Sequence, residues 1–129
     1  RTAHKPMLYE FGAAWCGPCQ VMKRELFSDR AIADRIGHTF VPVSVVDRSR
    51  EDGANSPEVA ALEERFQIRA FPTLVVVRED GASEKLEGYA GAEKTLEWMH
   101  AAAIGPRDQY LRRHMPAFML PDSAKAPRH

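Results

Sequence analysis

The run PMLYEFGAAW, residues 6–15, is apolar except for Glu10, and it leads directly into Cys16-Gly17-Pro18-Cys19. An apolar run of this kind reads as a buried strand of four to eight residues. Pro18 falls where the first turn of a helix tolerates proline, since the N–H it lacks would have no partner there. Val21, Met22, Leu26 and Phe27 follow at helical spacings. The junction therefore places both cysteines of the chain between the end of a buried strand and the start of a helix.

The rest of the chain supplies strands and helices in alternation. Ser28 is a candidate cap for a second short helix, DRAIADRI, closed by Gly37. TFVPVSVVD is strand-like, and Pro42 marks it as an edge strand because proline removes a ladder donor. RSREDGANS reads as a polar, solvated loop. SPEVAALEERF carries a strong helix start, with Ser56 as cap, Pro57 at the first position and Glu58 in the first turn. FPTLVVVRED is a strand ending in a turn at EDG, and SEKLEGY returns as its hairpin partner. GAEKTLEWMHAAA is an amphipathic helix stopped by Gly105-Pro106. The order is β-α-(α)-β-α-β-β-α, an α/β chain with one domain over residues 1–104. Residues 105–129 form a C-terminal extension of different composition.

With 129 residues, 44% hydrophobic and 28% charged, the chain has the make-up of one soluble domain. A formal net charge of zero argues against a nucleic-acid or membrane-surface partner. No apolar run approaches the ~20 residues a spanning helix needs. Because Arg1 rather than methionine comes first, a segment upstream is expected to have been removed.

Two thiols at this spacing can be half a metal site, a staple or a redox pair. A structural zinc site wants four ligands, yet there is no second pair, and His4, His38, His100, His114 and His129 are scattered. A disulfide closing so small a loop constrains the unfolded chain little. A cysteine at a helix start, in contrast, sits among unpaired N–H groups and the positive end of the helix dipole, which favour thiolate over thiol. Cys16 is thus the expected nucleophile and Cys19 the resolving thiol one turn on. Trp15 would shield the pair and give substrates an apolar contact. Glu10 is a lone acid in an apolar strand; burial raises a carboxyl pKa, which suits a group that takes a proton from Cys19 and returns it. The plainer reading is an acid that reaches a lysine or solvent at the strand's edge.

WCGPC after a strand, with FPTLVVV further on, resembles the thioredoxin family over roughly residues 6–103. The resemblance implies the thioredoxin fold, a mixed sheet flanked by helices, with a cis peptide before Pro72. It also implies a substrate groove formed by Trp15, Phe71, Pro72 and Gly88 around Gly17-Pro18. Thioredoxin proper begins with a further strand and helix; only five residues precede Pro6 here, so that unit is expected to be missing. ELFSDRAIADRI adds a short helix after the active-site helix, similar to the C-terminal periplasmic domain of the membrane reductase DsbD. A periplasmic location follows from that likeness, with the cytoplasm as the alternative. Thioredoxin also has a lysine on the strand neighbouring its acid, which TFVPVSVVD lacks.

No cation lies between the cysteines. A more stable thiolate makes a stronger oxidant, so Gly17-Pro18 points to a reductant. The expected activity is reduction of protein disulfides, with no cofactor beyond the Cys16–Cys19 dithiol and no metal. The partners would be protein disulfides and an upstream thiol reductant protein, and the chain a monomer. An oxidase or isomerase of exported proteins, or a binding module of the same fold, are the alternatives. In the extension, Tyr110, Leu111, Met115, Phe118, Met119 and Leu120 are too apolar for a solvating tail. About two helical turns from Pro106, then an extended AFML after Pro116, should pack back on the domain. Disorder is expected after Pro121.

Overall fold

In the computed structural model, residues 4–125 are described. Four strands form one mixed sheet: β1 (Met7–Ala13), β2 (Val41–Asp47), β3 (Thr73–Val77) and β4 (Ser83–Glu87), in the order β2-β1-β3-β4. β1 and β2 are parallel; β1–β3 and β3–β4 are antiparallel. The apolar runs take the centre, and every residue of β3 is buried. The Pro42-bearing strand lies at an edge, where a missing N–H costs no ladder bond.

Helices cover both faces. α1 (Gly17–Met22) continues into a π-helical turn (Lys23–Phe27), and α2 (Arg30–Thr39) follows. Together with α5 (Ala92–Ile104) they bury Leu8, Met22, Leu26, Leu74, Val76 and Met99 on one face. On the other face α4 (Pro57–Arg65) and the chain after it pack Val59, Leu62 and Phe66 against Phe11, Val45, Val75 and Val77. Burying one such side chain contributes roughly 1.5–3 kcal/mol, which makes these two layers the main support of the sheet. Ser56 caps α4 by accepting the Val59 N–H, with Pro57 at the first position.

Four local details differ from the sequence expectation. Asp29, not Ser28, caps α2, because its carboxylate accepts the Ile32 N–H at 3.1 Å. Gly37 lies inside that helix, which ends where Phe40 turns extended to enter the core. RSREDGANS contains a helical turn, α3 (Ser49–Asp52), ended by Gly53 at φ +84°. AFML is a 3-10 turn over Ala117–Met119 rather than an extended run.

In the extension, α6 (Pro106–His114) lies against α5, with Gln109 Nε2 donating to the Ala101 carbonyl at 2.7 Å. Asp122–Ala124 form a second 3-10 turn where disorder was expected, held by a bond from Arg112 Nε to the Ala124 carbonyl. Ala124 is fully buried, whereas Phe118 is 85% exposed. Residues 126–129 lie outside the described residues.

Candidate functional site

Cys16 is the N-cap of α1, and its backbone is extended while Gly17 onward is helical. Its Sγ accepts the Cys19 N–H at 3.2 Å, one of the otherwise orphaned donors of the first turn. The two cysteines form a disulfide, with Cα atoms 5.3 Å apart. Reduction leaves the same N–H aimed at the Cys16 sulfur, where a thiolate gains more from it than a thiol. Both cysteines are buried, packed with Ala13 and Phe71. Gly12 lies close beneath them: a Cβ there would stand 3.4 Å from Cys19 Sγ.

Around the pair, Trp15 is 46% exposed and meets Phe71 edge-on, ring centroids 6.0 Å apart. The Phe71–Pro72 peptide is cis, and Pro72 is buried. Gly88, at φ +86°, donates its N–H to the Pro72 carbonyl at 2.8 Å, which ties the start of β3 to the end of β4. Gly17 and Pro18 are exposed. The sequence-derived residues Trp15, Cys16, Gly17, Pro18, Phe71 and Pro72 thus gather at the β1–α1 junction. Gly88 joins them through the backbone.

Glu10 points to the same face of the sheet as Leu8 and lines a cavity of about 480 Å³. That cavity also touches Cys19, Lys23, Pro42, Ser44 and Val46. Burial pushes the Glu10 carboxyl above its ordinary range, and the charge of Lys23 partly opposes this. The cation that β2 lacks therefore comes from the helix. Lys23 stands one turn after Cys19, a spacing that could have been read from the sequence.

A second acid cluster lies at the end of β2. Asp47, 6% exposed, accepts from Ser49 N at 3.0 Å, Ser49 Oγ at 2.7 Å and Asn55 Nδ2 at 2.8 Å. Burial alone would raise its pKa. Hydrogen bonds from Glu63, Asn55 and Ser49 instead hold it well below the usual carboxylate range. Burial first, and then the bond to Asp47 and its charge, push Glu63 up to about 7. Glu63 Oε2 is buried and, among the described residues, no donor reaches it. Among the described residues no group of three or more His, Cys, Asp or Glu is placed to hold a metal.

A family model described as a thioredoxin-like domain matches residues 1–103. A thioredoxin-like protein of Synechocystis is 31% identical over 94 residues, 72% of this chain and 77% of that one. DsbD of Neisseria meningitidis, a thiol:disulfide interchange protein, is 31% identical over 96 residues, 73% of this chain but 15% of that one. The crystal structure of the oxidised DsbD C-terminal domain from that organism superposes with a TM-score of 0.56 at 30% identity, covering 74% of this chain and 78% of that domain. Several curated relatives are longer, and the chain spans about half of their length or less. Thioredoxins, protein disulfide-isomerases and DsbD are thiol-disulfide oxidoreductases, and the Cys16–Cys19 pair fits a dithiol active site. Fold, thiol spacing and matched sequence agree that this chain belongs to the thioredoxin-like family.

Proposed function

We propose that the chain is a reductase of protein disulfides working through the Cys16–Cys19 dithiol. The observation that carries this reading is the Cys16 sulfur at the N-cap of α1, accepting the Cys19 N–H. In the reduced protein the Cys16 thiolate attacks one sulfur of a substrate disulfide. A mixed disulfide forms and one substrate thiolate leaves. Cys19 gives its proton to the Glu10 carboxylate and attacks Cys16 Sγ. The second substrate thiolate leaves, and Cys16–Cys19 closes as a disulfide. Two electrons pass to the substrate, and a thiol reductant protein must return them.

Gly17 and Pro18 place no cation between the thiols, which supports the reducing direction over oxidation or isomerisation. Trp15, Phe71, Pro72 and Gly88 form the surface on which the substrate chain lies, Trp15 by its exposed ring. No cofactor beyond the dithiol enters the reaction. The protein acts as a monomer, with residues 105–129 a C-terminal extension of the domain at 1–104, docked in part through α6. The likeness to DsbD supports a periplasmic site of action, with the cytoplasm as the alternative.

Alkylation of the reduced protein with iodoacetamide near neutral pH, followed by peptide mapping, tests the assignment. Cys16 should be modified much faster than Cys19. With dithiothreitol as electron source the protein should catalyse insulin reduction, and Cys16→Ser should abolish it. Equal labelling of both thiols, or full activity in Cys16→Ser, refutes the proposal.

A further inference from the structure

Phe71 is not the only group against the Trp15 ring. The guanidinium of Arg50 lies 3.8 Å from its centroid. Arg50 belongs to α3, remote in sequence, and two anchors fix it there. Asp47 binds Ser49 on one side of it and Asn55 on the other, and the Asn55 side-chain oxygen accepts the Arg48 N–H at 2.7 Å. The segment that carries Arg50 is thus pinned at both ends to one buried carboxylate.

The neighbouring cation on the same turn is occupied. Arg48, two residues before Arg50, pairs with Asp52 at 2.8 Å. Among the described residues Arg50 forms no ion pair; its one partner is an aromatic face. Stacking engages the flat face of a guanidinium and leaves the N–H donors at its edge free for a carboxylate, which they match in a two-point fork. The rim of the dithiol therefore offers an apolar ring and a positioned, unpaired cation side by side.

We propose that Arg50 is a specificity-determining residue: it recruits protein disulfides that carry Asp or Glu beside the reactive cysteine. This rests on the thiol-disulfide exchange proposed above. A charge at the rim of an interface acts mainly on encounter and weakens with salt. The effect belongs in kcat/KM and should fade as ionic strength rises.

The test uses two peptide disulfides of one scaffold, with two Asp or two Lys flanking the cysteine. Their kcat/KM values for reduction by the full chain are compared at low and high salt. The wild-type protein should prefer the acidic peptide about five- to tenfold at low salt, and less at high salt. Arg50→Gln should bring the ratio close to one, and Arg50→Glu should invert it. Arg50→Lys, which keeps the charge and loses the fork, should retain part of the preference. An absent wild-type preference, or an unchanged ratio in Arg50→Gln and Arg50→Glu, overturns the role of Arg50 while exchange itself stands. If the wild-type protein reduces neither peptide, the exchange reading fails, and this inference with it.

Discussion

Replacing Glu63 with glutamine should stabilise the protein at pH 8 and change little at pH 5. An ordinary glutamate titrates near 4.5, while Glu63 titrates at about 7 in the fold. Between these values the folded state holds a proton that the unfolded chain has lost. The contribution of Glu63 is therefore complete below 4.5 and is lost as pH rises through about 7. Above that, the fold must keep two anions together, Asp47 and Glu63. The displacement sets a ceiling of about 3 kcal/mol, and partial access to water reduces it to roughly 1–2 kcal/mol. Asp47 runs the other way. Its lowered pKa gives stability that is present above 3.8 and lost as pH falls through its folded value. The pair is thus best accommodated between these limits, sharing one proton. A glutamine amide at position 63 donates to Asp47 at every pH and never charges. Urea unfolding of the oxidised proteins at pH 5, 6, 7 and 8 reads the difference. With a slope of roughly 1–3 kcal/mol per molar urea, the midpoint of Glu63→Gln at pH 8 should exceed wild type by on the order of 1 M. Parallel pH curves for the two proteins would refute the shared proton.

Three further outcomes are expected. Glu10→Gln cannot accept the Cys19 proton, so resolution of a mixed disulfide should slow in stopped-flow measurements. Lys23→Met removes the opposing cation and should shift the pH profile of that step upward; wild-type behaviour of both between pH 6 and 8 would leave Glu10 a structural acid. Deleting residues 106–129 removes the α5–α6 contact and the buried Ala124 and should lower the thermal midpoint of a monomer; unchanged stability would show that the extension adds nothing to the domain.

Much of this fold could be read in the sequence because its signals are local. The apolar run of β1, Pro42 on an edge strand and the Ser56-Pro57 start of α4 each need only their own neighbours. Cys16 and Cys19 were legible by spacing, and Glu10 by being the single charge in an apolar strand. What was not legible depends on tertiary partners. Ser28 and Asp29 are adjacent capping residues, and only the geometry of the first turn favours Asp29. Helix α2 passes through Gly37 because Phe40, three residues on, is the residue the core needs. The turn at Ser49–Asp52 follows from Asp47 collecting donors, which no periodicity announces. In the extension, the six apolar residues that include Phe118 were expected to pack back on the domain, yet Phe118 is exposed and the small Ala124 is fully buried. Arg50 is the clearest case, since its place on Trp15 exists only once β2 and its loop are formed.

The edge position of β2 has one more consequence. Val41 donates its N–H to the Pro6 carbonyl, so residues 41, 43, 45 and 47 face β1 and residues 42, 44 and 46 face outward. Pro42 therefore occupies the first of three outward donor positions and leaves it without a hydrogen. A strand from another chain that sought to extend the sheet would meet only the Ser44 and Val46 donors, with the proline ring beside them. The same residue that fits the edge without loss inside the molecule thus guards an uncovered strand against growing into aggregates.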